Sequence, residues 1–143
     1  MKREIKFRAL TKRDNSKVCG DLITSPNGEH RIIWFEYKGE APLNVDYNSF
    51  NESVQTDTIG QYTGLKDKNK VDIYEGDIVK IKFLKEYSND GFVTNSVVIY
   101  SDINIGWAIP TRHGHEHGFP LNWGGYKSLE VIGNIHENKD LLC

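Results

Sequence analysis

The chain has 143 residues, of which 38% are hydrophobic and 11% aromatic, so it can build the core of one folded domain. Its formal net charge is -2, whereas proteins whose main partner is a nucleic-acid backbone usually carry a basic excess. The composition therefore argues against a dedicated nucleic-acid-binding protein, and it leaves room for a local basic patch.

The cysteines and the first residues indicate the compartment. Cys19 and Cys143 lie near opposite ends of the chain, and neither belongs to a CxxC pair with zinc-finger spacing. No continuous apolar stretch follows the first residues, so we expect no signal peptide, and no apolar run is long enough to span a membrane. These features predict reduced thiols in the cytosol and no membrane partner.

The N-terminal third predicts a β-meander. Residues 5–9 alternate apolar and charged side chains, which is typical of a half-buried strand. Residues 18–23 and 31–37 predict a second and a third strand, joined by a hairpin turn over residues 25–28 (SPNG). Gly, Pro and Asn recur in residues 38–57 without a helical period, so we expect a long surface loop there with one short turn of helix.

The central stretch, residues 59–83 (IGQYTGLKDKNKVDIYEGDIVKIKF), contains two turn signals followed by an alternating strand. In that strand Lys80 and Lys82 face away from the predicted core. Residues 92–100 predict a return strand because they are rich in β-branched and aromatic side chains. Residues 110–125, rich in Gly, His and Pro, are expected to form an ordered loop.

The last strands are predicted over residues 128–136, with a kink or bulge at Gly133. Many short strands separated by turn signals favour an all-β fold built as a small barrel or roll, with at most one short helical turn.

Three blocks of sequence stand out: residues 3–9 (REIKFRA), residues 61–69 (QYTGLKDKN) with 73–79 (IYEGDIV), and residues 130–135 (EVIGNI) with 137–138 (EN) and 141–142 (LL). In this order they resemble the signature of the YopX family, small proteins encoded by phages and prophages of bacteria. The resemblance implies a mainly β fold with an SH3-like barrel, a phage or prophage origin, the host bacterial cytoplasm as location, and no settled biochemical activity.

Three positions depart from the family pattern: Leu10 stands where Trp is usual, Lys70 stands where Gly follows Asn69, and the last block lacks its Pro. The resemblance still spans nearly the whole chain. We therefore predict a single YopX-like domain over residues 1–143, with the β-meander and loop in residues 1–57 and the SH3-like barrel portion in residues 58–143.

Three histidines in the Gly-rich loop are candidate metal ligands. In an extended chain His113, His115 and His117 would point to one face, where imidazoles can converge on zinc. The flanking Gly and Pro residues favour a polar surface loop instead, so we expect no resident cofactor.

The carboxylates of Asp72, Glu75 and Asp77 are close in sequence, and grouped carboxylates can hold Mg²⁺. Their neighbouring glycine favours turn formation, in which Asp and Glu accept hydrogen bonds from local backbone amides. No nucleophile elbow, phosphate-cradling loop or HExxH motif occurs in the sequence, so we expect no catalytic residues.

A binding surface is the remaining interpretation, with Trp123 and Arg112 in the loop and Lys80 and Lys82 on the central strand as candidate contacts. The leading hypothesis is a non-catalytic binding or adaptor module that acts on a host or phage protein. The alternative is a nucleic-acid-associated accessory protein that uses a small β-barrel surface. Open sheet edges would also permit a homo-oligomer.

Overall fold

Antiparallel β-strands make up most of the fold, which confirms the predicted all-β class. The structure is a computed structural model that describes residues 3–38, 46–87, 93–111 and 115–142. Its described helical segments are three short 3₁₀ turns, Thr56–Thr58, Lys85–Tyr87 and Lys139–Leu142. Among the described residues, no helix has the length and apolar character needed to cross a membrane. Contacts divide the chain into two compact units, Met1–Gln61 and Tyr62–Cys143.

The first unit contains the three strands of the predicted meander, a fourth strand that the sequence does not predict, and the start of a fifth. Its strands are β1 (Phe7–Leu10), β2 (Lys17–Thr24), β3 (His30–Lys38), β4 (Asp46–Ser53) and the first residues of β5 (Gly60–Lys66). Consecutive strands from β1 to β4 pair antiparallel, and β1 also pairs with the start of β5. The buried centre of this unit consists of Ala9, Ile32 and Val54.

Strand β4 shows that the loop predicted over residues 38–57 is wrong at Asp46–Ser53, whereas residues 39–45 lie outside the described residues and Thr56–Thr58 forms a short helical turn as predicted. Its sequence, DYNSFNES, has low intrinsic strand propensity, and the strand forms because all of its residues pair with β3. The rings of Trp34 and Phe50 stack 5.4 Å apart, and Arg31 donates hydrogen bonds to Asn51 and Ser53. These cross-strand contacts supply the stabilisation that the local sequence lacks.

The second unit contains the remaining strands in two three-stranded sheets and one hairpin. The strands that follow β5 are β6 (Asp72–Tyr74), β7 (Asp77–Phe83), β8 (Val93–Val97), β9 (Ile99–Ser101), β10 (Gly106–Thr111), β11 (His115–Pro120) and β12 (Tyr126–Asn134). The sheet orders are β12-β7-β8 and β11-β10-β9, and β6 pairs with β5. In the described residues the strands of this predicted SH3-like portion do not close into a barrel.

Strand β7 is the central strand of the second unit. Its alternation is as predicted, with Lys80 and Lys82 exposed and the intervening side chains buried. The buried core that it joins consists of Ile73, Val79, Ile81, Phe83, Val98, Ile109 and Leu121. The bulge predicted at Gly133 is confirmed, since the register of β12 against β7 shifts between Val131 and Gly133.

Two other predictions for the second unit need correction. The single return strand predicted over residues 92–100 is split at Val98 between two sheets, and Val98 exchanges backbone hydrogen bonds with Gly76 and Asp77. Of the loop predicted over residues 110–125, the first two residues belong to β10 and His115–Pro120 is β11, residues 121–125 form a turn, and residues 112–114 lie outside the described residues. Pro110 is tolerated in β10 because it lies where the register shifts, so no ladder hydrogen bond is required of it.

The carboxylate of Asp67 links the loop between β5 and β6 to β12. Oδ1 accepts hydrogen bonds from the backbone N–H groups of Asn69 (2.7 Å) and Val71 (3.0 Å), and Oδ2 accepts one from Val131 (3.0 Å). Burial raises the pKa of Asp67, but these hydrogen bonds and the charge of Lys68 outweigh it, so the pKa lies below its usual value.

The loop after Asp67 has the same hydrogen bonds as the confirmed hairpin turn of the first unit. Asp67 N–H donates to Val71 O (2.8 Å) and Lys70 N–H to Asp67 O (3.0 Å), as Ser25 donates to Glu29 (2.8 Å) and Gly28 to Ser25 (2.8 Å). The equivalent residues Lys70 and Gly28 both have left-handed backbone, with φ of 67° and 82°. A side chain at this position strains the turn, since that region favours glycine.

We predict that Asp67→Asn lowers the free energy of unfolding by about 2 kcal/mol at pH 7, because Val131 N–H loses its acceptor in a buried site. Asp72→Asn is the control, since it removes an exposed ion pair with Lys66 and should cost under about 1 kcal/mol. Because the pKa of Asp67 is lowered in the folded protein, its ionised carboxylate contributes its full stabilisation above about pH 4, and this contribution is progressively lost as the pH falls below that value. Urea unfolding should therefore show the gap between wild type and Asp67→Asn narrowing as the pH falls below about 4.

We predict that Lys70→Gly raises the free energy of unfolding by about 0.5–1 kcal/mol, because glycine relieves the left-handed strain at some cost in chain entropy. The reverse change, Gly28→Lys, should lower it by a similar amount, since no atom lies near enough to Gly28 to add a steric effect. Thermal unfolding measures the stability of both variants relative to wild type. A shift of the same sign in the two proteins would contradict this interpretation.

Candidate functional site

Two neighbouring pockets in the second unit form the candidate site. The Ile105 pocket has a volume of about 350 Å³ and is lined by Thr63, Leu65, Asn104, Ile105, Gly106, Trp107, Pro120, Leu121 and Asn122. The Trp123 pocket has a volume of about 370 Å³ and is lined by Leu65, Lys66, Asp67, Lys68, Ile73, Leu121, Asn122, Trp123, Tyr126, Lys127, Ser128 and Leu129. The two pockets share Leu65, Leu121 and Asn122 and together form one groove.

The turn between β9 and β10 forms the outer end of the Ile105 pocket and exposes two isoleucines. Ile103 is 63% exposed and Ile105 is 81% exposed. Ile105 has φ of 48°, a left-handed conformation that is a true outlier for a β-branched residue. Behind the turn, Tyr100 meets Trp107 edge to face at 5.4 Å, and Ser101 Oγ accepts the Asn104 N–H at 3.2 Å.

An aromatic cluster lines the other end of the groove and holds Trp123 on several sides. Its ring stacks on Phe119 at 4.4 Å and meets the edges of Tyr87 at 4.8 Å and Tyr126 at 5.2 Å. The backbone of Gly125 also lies against the ring, since a Cβ there would come within 2.2 Å of Trp123 Cη2. Trp123 is therefore half-buried and packed, whereas the sequence suggested an exposed contact.

The turn that carries Trp123 is fixed by backbone hydrogen bonds to neighbouring strands. Leu121 N–H donates to Trp107 O at 2.8 Å, Trp123 N–H donates to Pro120 O at 2.9 Å, and Gly125 O accepts the Leu84 N–H at 2.9 Å. Burial raises the pKa of Tyr126, whose hydroxyl donates to Phe119 O at 3.4 Å. The phenol therefore stays protonated and acts as a structural donor.

The two ends of the groove differ in charge. The Ile105 pocket has no charged side chain among its described lining residues, whereas the Trp123 pocket has three lysines and Asp67. Lys66 pairs with Asp72, and Lys68 pairs with Glu130 at 2.6 Å. The hydrogen bond from Lys68 is the main cause of the lowered pKa of Glu130. The lining of the Trp123 pocket is thus mainly cationic, and the counter-ions Asp72 and Glu130 lie outside the lining.

The predicted binding residues lie in different places. Trp123 lines the groove, whereas Lys80 and Lys82 are exposed on β7 outside the groove lining, opposite Glu130 and Ser128 of β12. Arg112 lies outside the residues that the structure describes. The binding role of all four remains a prediction.

The predicted metal ligands cannot be placed as a set. His113 lies outside the described residues, and His115 and His117 lie on β11 with side chains that are also outside the description. Across the described part of the chain, no group of His, Cys, Asp or Glu side chains is arranged to hold a metal ion.

The acidic residues near the central turn have structural partners. Asp77 is buried, and its Oδ2 accepts the Tyr74 N–H at 2.8 Å, which agrees with the turn interpretation. Asp72 forms the ion pair with Lys66. These carboxylates stabilise the hairpin of β5 and β6 and the turn that leads into β7.

Sequence reasoning missed the residues that shape the groove, chiefly Leu65, Ile105, Asn122 and Lys127. They lie on separate strands and turns, and no spacing rule connects them. One signal was available for Ile105: two isoleucines within a polar turn, residues 101–106 (SDINIG), have no core-facing period and so indicate exposed apolar side chains.

Comparison with known proteins gives one family and a solved structure. A family model described as YopX protein matches residues 6–143. The crystal structure of protein EF1440 from Enterococcus faecalis is similar to this chain, with 28% sequence identity and a TM-score of 0.55, over 99% of this chain and 100% of that one. No curated protein matches the chain significantly.

We predict that Gly125→Ala lowers the free energy of unfolding by about 1–3 kcal/mol, because the new methyl group displaces the packed ring of Trp123. The neighbouring change Gly124→Ala is the control, since nothing lies within 4 Å of a Cβ there, and it should cost under about 0.5 kcal/mol. Urea unfolding measures stability, and near-UV circular dichroism reports the ring. An unchanged aromatic spectrum in Gly125→Ala would contradict the packing described.

Proposed function

Because this chain belongs to the YopX family, we propose that it is a phage- or prophage-encoded accessory protein that works as a non-catalytic binding or adaptor module. Its partner would be a host or phage protein in the bacterial cytoplasm. Cys19 is an exposed free thiol, which fits a reducing compartment. The observation that carries the proposal is the pair of exposed isoleucines, Ile103 and Ile105, on the turn between β9 and β10, of which Ile105 lines the groove.

The exposure of Ile103 and Ile105 supports a protein partner. Burying an exposed isoleucine side chain contributes about 1.5–3 kcal/mol to association, so two on the same turn can anchor an interface. The left-handed backbone of Ile105 lowers the stability of the folded protein by about 1–2 kcal/mol, a cost that Asn or Gly at this position would largely avoid. An apolar side chain kept exposed on a strained turn is more readily explained by binding than by folding.

The groove chemistry supports a role without catalysis. Asp67 is the only carboxylate in the described lining, and its oxygens already accept three backbone N–H groups. The hydroxyl of Thr63 donates to Ile73 O at 2.8 Å. Neither group is placed beside a general base that would activate it, and the described lining contains no His or Cys.

A nucleic-acid-associated role is the second candidate, and one observation favours it. Tyr87 is 58% exposed and lies in the same 3₁₀ turn as the exposed Lys85. An aromatic ring beside a lysine can stack a base and pair with its phosphate. Trp123 does not extend this surface, because its ring already packs against Phe119 and Gly125.

We predict that Ile105→Asn weakens partner binding at least about tenfold, since it removes the most exposed apolar anchor. The same change should raise the free energy of unfolding by about 1 kcal/mol, because Asn tolerates left-handed backbone. Ile23→Asn is the control: Ile23 is 46% exposed on β2, in the other unit.

The measurement is quantitative affinity capture from a lysate of the bacterium that carries the gene, with wild type and both variants as bait. A protein retained by wild type and Ile23→Asn but lost with Ile105→Asn is the expected partner, and its purified form gives the affinity. If retained proteins do not distinguish Ile105→Asn from wild type, the proposed surface is wrong. Retention only of nucleic acid, released by moderate salt, would favour the second candidate.

A further inference from the structure

The groove is suited to an extended ligand that reaches both pockets. Leu65, Leu121 and Asn122 line both pockets, so the two pockets are direct neighbours. Volumes of about 350 and 370 Å³ are each at the small end of the range for small-molecule sites. A chain of linked groups, with different groups in the two pockets, uses this shape better than one compact ligand.

Asn122 lies where the pockets meet and suits a peptide backbone. Its side chain is exposed and makes no hydrogen bond to any residue in the described part of the chain. A carboxamide offers a donor and an acceptor together, which matches the N–H and C=O groups of a passing peptide. This placement favours a polypeptide over a ligand that has acceptors alone along its backbone.

The charge difference along the groove gives the ligand a direction. The Ile105 pocket offers uncharged side chains, apolar at Ile105 and Trp107 and polar at Asn104, whereas the Trp123 pocket adds the cations of Lys66, Lys68 and Lys127 to its apolar surface. Lys127 is exposed and forms no ion pair within the described residues. The pairs of Lys66 and Lys68 are partly exposed, and such pairs contribute under about 1 kcal/mol, so a ligand carboxylate can replace either counter-ion.

We infer that the groove binds an extended segment of a partner polypeptide, with apolar side chains against Ile105 and Trp107 and a carboxylate beside Lys68 and Lys127. This inference rests on the proposed function and adds the chemistry of the partner. A nucleic-acid strand fits less well, because Trp123 has little free surface on which a base could stack. Phe119 covers one face of its ring, and Gly125 and Tyr87 also contact the ring. An acidic-apolar peptide uses both ends of the groove.

The test uses the full chain as bait for a displayed library of random peptides of about ten residues, a length that covers a strand-like recognition segment. We expect selected peptides to combine apolar residues with Asp or Glu. One selected peptide and its amide counterpart, with Asp and Glu replaced by Asn and Gln, are then compared by fluorescence anisotropy. Wild type should bind the acidic peptide about fivefold more tightly than the amide peptide.

Protein variants assign this preference to the groove. Lys127→Gln should reduce the preference for the acidic peptide over the amide peptide to under about twofold, because the variant removes the groove lysine that lacks a counter-ion. Lys139→Gln is the matched control, since it removes an exposed lysine of the last 3₁₀ turn that lines neither pocket. It should leave the preference unchanged.

The outcomes separate this inference from the proposed function. Peptide binding that Ile105→Asn weakens but that shows no preference for acids would overturn the inference and leave the proposed function standing. Peptide binding unaffected by both Ile105→Asn and Lys127→Gln would place the contact elsewhere and overturn the inference. Failure to select any peptide, with salt-sensitive binding of a single-stranded oligonucleotide instead, would overturn both.

Discussion

The buried carboxylate of Asp67 is the interaction on which the second unit most depends. It is 7% exposed, yet it stays ionised because three backbone N–H groups from two segments converge on it. The adjacent Lys68 N–H donates to Leu129 O at 2.9 Å, so the loop and β12 are joined twice. Both residues also line the Trp123 pocket, so the same contacts that stabilise the fold place the lysines of the groove.

The groove combines rigid walls with one costly exposed element. Trp123 is held by Phe119, Tyr126 and the backbone of Gly125, so that end is a preformed surface rather than a mobile one. At the other end Ile105 is exposed on strained backbone. Preformed walls lower the entropy lost on binding, and an exposed apolar anchor supplies the driving force. This division of roles agrees with the proposed role of the groove in recognition.

The sequence identified part of this site and missed the rest for a physical reason. Trp123 stands out in the sequence because it is a tryptophan in a Gly-rich segment. Its half-buried packing comes from Phe119 on β11 and Tyr126 on β12, and no sequence pattern connects these two residues with it. Lys80 and Lys82 were correctly placed on an exposed strand face, since alternation is local. Lys127 and Asn122 carried no local signal. Their relevance comes from which strands are neighbours.

Local chemistry determined the family, the all-β class, the meander, the first hairpin turn and the exposed face of β7, because each depends on residues a few positions apart. Only the tertiary structure decided that β4 is a strand, that residues around Val98 change sheets, and that Pro110 lies in a strand at a register shift. Each of these depends on hydrogen bonds to distant partners, which override weak intrinsic propensity. The groove belongs to this second group, since Leu65 and Leu121 become neighbours only when β5 and the turn after β11 are folded.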